Sequence, residues 1–218
     1  MKNPWLDLRN ESPFVLDCDR EKIHLFNQSV KARHKLRVDI IPEPYLGHPT
    51  APILLLNLNP GYSPKDKWIH AEKSFAAASM ASLAIQKQAY PFYLLNPAFS
   101  KSPGHQWWTR RLQSLIAEYG VDLVAKKVCC VELFPYHSIS FNKRCLGVPS
   151  QAYGSHIVRS AIERGALIVQ MRSRALWEAA VPELGGYTKR IFLKNVQSPY
   201  ISRGNCEHYD ELCAVLSR

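Results

Sequence analysis

The chain reads as an α/β protein: a three-layer α/β/α sandwich with a mainly parallel central sheet. Three observations predict this. Short apolar runs alternate with longer helical patterns along the chain. The clearest run, "APILLLNL" at 51–58, is apolar almost throughout, as expected of a strand covered on both faces. With 218 residues, 46% hydrophobic and 21% charged, the chain has enough apolar material for one sizeable core. One domain over 1–218 is expected, with residues 1–50 as an N-terminal extension packed on it.

"LRVDII" (36–41) predicts a first strand, closed by Pro42 and Pro44, and 51–58 a second. "KSFAAASMASLAIQKQAY" (73–90) is Ala-rich and predicts a helix, and "PFYLL" (91–95) a short strand. A helix over 105–120 follows from Trp108, Leu112, Leu115 and Ile116 on one face, with Gly120 as its stop. The alternation continues with strand 127–134, helix 150–165 and strand 166–171. A helix over 173–184 is N-capped by Ser173, and strand 190–195 and an amphipathic helix over 206–217 complete the chain. Residues 1–50, with "PFVLDCDREKIHLFNQSVKARHK", fit an added helix or part of a contact surface.

Lys and Arg number 28 against 18 Asp and Glu, a formal charge of +10. The cations are dispersed in pairs such as Arg110-Arg111, Lys126-Lys127, Lys143-Arg144 and Lys189-Arg190, which suggests a folded basic surface suited to a polyanion. Six cysteines show no CxxC and no zinc or iron–sulfur spacing, as for reduced thiols. His105, His137 and His208 show no pair at metal spacing, so neither a metal nor any other cofactor is expected. No apolar run approaches the roughly 18 residues of a membrane span, and the first residues lack a signal-peptide core. A cytoplasmic protein without a membrane partner is the expectation.

Three loops at predicted strand ends carry chemistry: "NLNPGYS" (57–63), "ELFPYHS" (132–138) and "NVQSPYISRGN" (195–205). Open α/β sheets place ligands at the carboxyl ends of their strands. The GxGxxG and GxxxxGK[ST] patterns of nucleotide-phosphate loops are absent. Asn59-Pro60-Gly61 also fits an ordinary turn, and Glu132 a strand-end ion pair.

Together the three loops resemble the uracil-DNA glycosylase superfamily, especially its mismatch-type members, over roughly residues 50 to 218. The first family motif reads like Gly-Ile-Asn-Pro-Gly, and the last like His-Pro-Ser-Pro-Leu-Ser followed by Arg-Gly. The resemblance implies that Asn59 orients the water that hydrolyses an N-glycosidic bond, because an amide holds water without ionising. Gly61 replaces the Tyr of uracil-specific relatives and leaves room beside the pyrimidine C5 position. Glu132 replaces a base-reading Asn; as a carboxylate it accepts from an exocyclic amino group but cannot donate to O4 of uracil.

The family's leaving-group His falls on Val196, so Asn195, Gln197 or His137 is left to assist the departing base. Phe92, Tyr93 and Phe99 are candidates to stack on a flipped base, and Tyr62 lies beside the first motif. Ser198, Pro199 and Arg203 match the phosphate-contacting motif, Tyr200 or Ile201 the wedge into the base stack, and Lys65 a further DNA contact. The implied protein is a monomeric, monofunctional DNA glycosylase acting on a modified base, a C5-modified cytosine being favoured, in repair or in defence against phage. No Lys occupies a nucleophile motif, so no lyase step is expected. A uracil or thymine-mismatch glycosylase and a non-catalytic reader of modified DNA are the alternatives.

Overall fold

The computed structural model describes residues 1–218. Five strands form one sheet: β1 Tyr45–Leu46, β2 Ile53–Asn57, β3 Val128–Glu132, β4 Leu167–Gln170 and β5 Arg190–Phe192, in the spatial order β1-β3-β2-β4-β5. Only the two-residue edge strand β1 runs antiparallel, against β3; the other pairings are parallel. The helices are α1 Asp17–Ser29, α2 Pro64–Ala71, α3 Lys73–Leu83, α4 Pro103–Arg111, α5 Gln113–Tyr119, α6 Val121–Lys127, α7 Gln151–Glu163, α8 Arg174–Ala180 and α9 Tyr209–Leu216.

Side chains on a strand alternate between faces, so a near-continuous apolar run serves two cores at once. Leu54, Leu56, Cys129, Val131 and Ile168 enter one core, closed by Ile23 and Phe26 of α1, Ile157 and Val158 of α7, and Trp177 of α8. Ile53, Leu55, Cys130, Val169 and Ile191 enter the other, closed by Leu115 of α5, Val124 of α6, and Leu212 and Leu216 of α9. The fold is therefore α/β, with a mixed, mostly parallel sheet between helical layers. No helix is long and apolar enough to cross a membrane.

Residues 1–50 supply Trp5, Leu8, Val15 and Leu16 to the first core. Asp19, fully buried on α1, accepts hydrogen bonds from Tyr136 Oη at 2.7 Å and Ser150 N at 3.0 Å. This ties α1 to the segment after β3. Asp19→Ala would orphan both donors and is expected to cost about 2–4 kcal/mol in urea denaturation. An unchanged midpoint would show that the α1 contact does not support the fold.

The predicted strand 36–41 makes one isolated bridge, Arg37 to His137, and the edge strand forms after the prolines instead. Pro42 and Pro44 lack the N–H groups a ladder needs, although Glu43 N still reaches Pro135 O. The predicted strand 91–95 is a 3-10 turn, Tyr93–Leu95. The helix expected over 105–120 breaks at Leu112 into α4 and α5, and that over 73–90 ends at Leu83. Ser173 precedes α8 in the left-handed region and makes no side-chain cap.

Candidate active site at the strand ends

The β2 and β3 ladder continues past both strands. Leu133 N donates to Asn57 O, Phe134 N to Leu58 O at 2.9 Å and Ser138 N to Pro60 O. The first two loops thus run side by side, with Gly61 bridged to Ser138. They enclose a cavity of about 630 Å³ at the carboxyl ends of the strands, which Arg172, just beyond β4, also lines. That volume lies within the usual range for small-molecule sites.

Asn57 and Glu132 are paired neighbours on β2 and β3, and Asn57 Nδ2 donates to Glu132 Oε1 at 3.0 Å. Asn57 is held in turn by Trp177, whose Nε1 donates to its carbonyl oxygen at 2.7 Å. Glu132 Oε2 and Asn57 Oδ1 are buried without partners, although both residues line the cavity. Such orphans are uncommon unless a ligand or water completes them. Burial pushes the Glu132 carboxyl up to about 8; the Asn57 hydrogen bond opposes this, Glu43 reinforces it and Arg172 opposes it. Glu132 is therefore predominantly neutral at pH 7. In that protonated form the free oxygen can donate, where an ionised carboxylate only accepts.

Asn59 spends its amide N–H groups on Pro60 O at 2.9 Å and Ser138 Oγ at 3.1 Å. Its Oδ1 has no intramolecular partner and lies on the cavity-lining residue. The amide is held as an acceptor, the orientation needed to bind a water proton. Gly61 also lines the cavity; its φ lies outside the left-handed region, and a Cβ added there would meet nothing within 4 Å. The backbone does not require glycine at this position. What glycine supplies is space.

His137 is buried with Nδ1 2.7 Å from Gly61 O and Nε2 3.1 Å from Ile41 O, so it forms cavity wall with both nitrogens engaged. His70 packs edge-to-face on it, ring centroids 5.3 Å apart, and Glu43 Oε2 lies 4.0 Å from His137 Nε2. Burial drives His70 well below the usual histidine range, with His137 adding to the effect, and raises Glu43. The sequence expectation weighed His105, His137 and His208 only; the histidine that meets His137 is His70. His70 comes from α2, remote in sequence, and Glu43 from the proline-flanked segment.

The other predicted residues divide. Tyr62 lines the cavity, beneath the Arg37 guanidinium at 4.1 Å. Phe92 and Tyr93 do not line it: Phe92 packs on Trp108 in the core, and Tyr93 is buried with its hydroxyl on Glu43 Oε1. Phe99 is likewise core. The cavity's aromatic walls are Tyr62, Phe75, Trp107, Trp108 and Phe141. Asn195 is exposed outside the cavity, and its side chain caps the Gln197 and Ser198 amides in its own turn. That local bonding, not the cavity, fixes its place.

Ile201 is fully buried and cannot wedge into DNA without leaving the core; Pro199 is buried beside it, and Ser198 is half-buried. Tyr200 stacks under Arg111 at 4.2 Å, and Arg111 also covers Trp107 at 5.0 Å, so the third loop touches the cavity rim through that arginine. Arg203 pairs with Asp210 at 2.6 Å, and Lys65 is exposed on α2. The large apolar side chain exposed at the rim itself is Ile139, 61% accessible. Of the basic pairs, Lys189-Arg190 splits: Arg190 is buried on Glu178 and Gln170.

Sequence reasoning missed Glu43, His70, Phe141 and Arg172 on the cavity wall. Only Arg172, directly after the 166–171 apolar run, carried a strand-end signal. Comparison with protein-family models, with curated proteins and with solved structures returns no match.

Proposed function

We propose that this protein is a monofunctional DNA glycosylase of the uracil-DNA glycosylase type, taking a flipped pyrimidine into the strand-end cavity and hydrolysing its N-glycosidic bond. The observation that carries the reading is the Asn59 amide: its N–H groups are consumed by the loops, its oxygen is free, and Asn59 lines the same cavity as Glu132, whose Oε2 has no partner. Asn59 Oδ1 holds a water by accepting a hydrogen bond from it. The water oxygen bonds to the sugar C1′ as the bond to the base nitrogen breaks, and the base leaves with the electron pair. One proton of the water stays on the new C1′ hydroxyl, the other neutralises the departing base anion, and an abasic site remains. No lysine lines the cavity, which accords with hydrolysis and no Schiff-base step.

The base is read by Glu132 and admitted past Gly61. A C5-modified cytosine is the favoured substrate, because the cavity is open where a side chain at residue 61 would stand. A neutral Glu132 donates to cytosine N3, but it serves O4 of uracil or thymine as well, and this favours a second reading as a uracil or thymine-mismatch glycosylase. Duplexes carrying one uracil, one thymine mispair or one modified cytosine, incubated with the protein and cleaved with alkali, decide among these. Release of none of them ends the enzymatic reading; tight binding without alkali-labile sites would indicate a reader.

Gly61→Tyr is expected to fold with stability within about 0.5 kcal/mol of wild type. It should lower release of C5-substituted cytosine at least about tenfold relative to an unsubstituted pyrimidine, because the ring fills the space beside C5. Equal loss on both substrates would remove Gly61 from specificity.

A further inference from the structure

We propose that Glu43, His70 and His137 form a binding site for one first-row divalent cation of the zinc or iron class. One donor atom from each residue lies within 4.8 Å of those of the other two. A point no more than about 2.8 Å from each therefore exists, and an adjustment of about 0.7 Å brings it to the 2.0–2.2 Å of zinc–imidazole and zinc–carboxylate bonds. All three residues are buried and line the cavity wall. Two imidazoles and one carboxylate suit zinc or ferrous iron and disfavour magnesium and calcium, which prefer all-oxygen sites.

The surrounding contacts leave Glu43 Oε2 and His70 Nδ1 free, whereas His137 Nε2 must exchange its 3.1 Å contact with Ile41 O for the cation. In the tautomer that carries its N–H on Nδ1, His137 donates to Gly61 O at 2.7 Å. Nε2 then has only acceptors before it, Ile41 O at 3.1 Å and Glu43 Oε2 at 4.0 Å. A cation relieves this convergence of lone pairs. Tyr93 Oη donates to Glu43 Oε1 at 2.5 Å and leaves Oε2 free. Such outer hydrogen bonds, to the far nitrogen of a histidine and the far oxygen of a carboxylate, are what orient metal ligands. His70 makes no hydrogen bond through its ring, and its Nδ1 is buried without a partner. Three protein ligands on a cavity wall leave positions for water or substrate. The proposal does not depend on the glycosylase reading.

The untagged full chain, stripped with chelator and titrated calorimetrically with Zn²⁺, is expected to bind one equivalent and to ignore Mg²⁺. His70→Ala and Glu43→Gln should each weaken Zn²⁺ binding by about tenfold or more. His105→Ala, outside the cluster, should not, with circular dichroism verifying each fold. Should a variant misfold, imidazole nitrogen spectra of the wild-type chain serve instead: Zn²⁺ should shift the His70 and His137 resonances and spare His24 and His208. Substoichiometric binding, or binding undiminished in folded His70→Ala, overturns the proposal. So does a His137 ring carrying both protons at neutral pH and unmoved by Zn²⁺, which would make the site a buried imidazolium.

Discussion

Replacing Asn59 with Ala is expected to slow base release by about 10²–10³-fold under single-turnover conditions, comparable to losing one preorganised polar contact to a transition state. The effect follows from its geometry. The Nδ2 bonds to Pro60 O and Ser138 Oγ hold the amide so that only Oδ1 is available to water. Losing those two bonds should cost about 1–2 kcal/mol of stability, too little to unfold the chain. Asn59→Asp restores an acceptor and adds negative charge near the sugar cation, so it should stay within about tenfold of wild type. If Asn59→Ala releases base as fast as wild type, the attacking water is held elsewhere.

Glu132 carries the second large effect, on stability as a function of pH. Its folded-state value, about 8, stands above the 4.5 expected when unfolded, chiefly because burial disfavours the charged form. Between those values the folded chain holds a proton that the unfolded chain has released. The contribution is therefore fully present below pH 4.5 and is lost as pH rises through 8. At 1.36 kcal/mol per pKa unit, wild type should lose on the order of 4 kcal/mol across that window relative to Glu132→Gln, which has no proton to lose. Denaturation series at pH 5 and pH 9 on both proteins measure it. Parallel curves would mean that the carboxyl is already ionised in the fold. Base release should also change between pH 7 and 9, as the free oxygen turns from donor to acceptor.

The parts of the molecule legible in the sequence were those whose signal is local. β2, β3 and β4 are bounded apolar runs, and the loops that follow them reach the cavity because a parallel sheet delivers its strand ends to one side. Asn59, Gly61 and Glu132 could be placed for that reason. The failures share a cause as well. Leu36 to Ile41 has strand composition, but the prolines that follow interrupt a ladder, and Leu36, Ile40 and Ile41 are buried without one. Phe92 and Tyr93 look like stacking platforms because aromatic composition does not say which way a ring faces. Glu43 and His70 meet His137 only through tertiary packing, and no spacing rule spans such separations. Asn195 was misplaced because an Asn that binds its own turn has the same letter as one that binds a ligand.

The continuous ladder joining the loops after β2 and β3 has a consequence for how the protein can change. Backbone hydrogen bonds, indifferent to side-chain identity, set the span between Asn59 and Glu132, whereas residue 61 has open space where a side chain would stand. On the proposed glycosylase reading, substitutions at 61 redraw which bases enter while leaving the hydrolytic geometry where it was. Selectivity and chemistry in this cavity are then separately heritable, and a lineage facing a new base modification can alter the first without rebuilding the second.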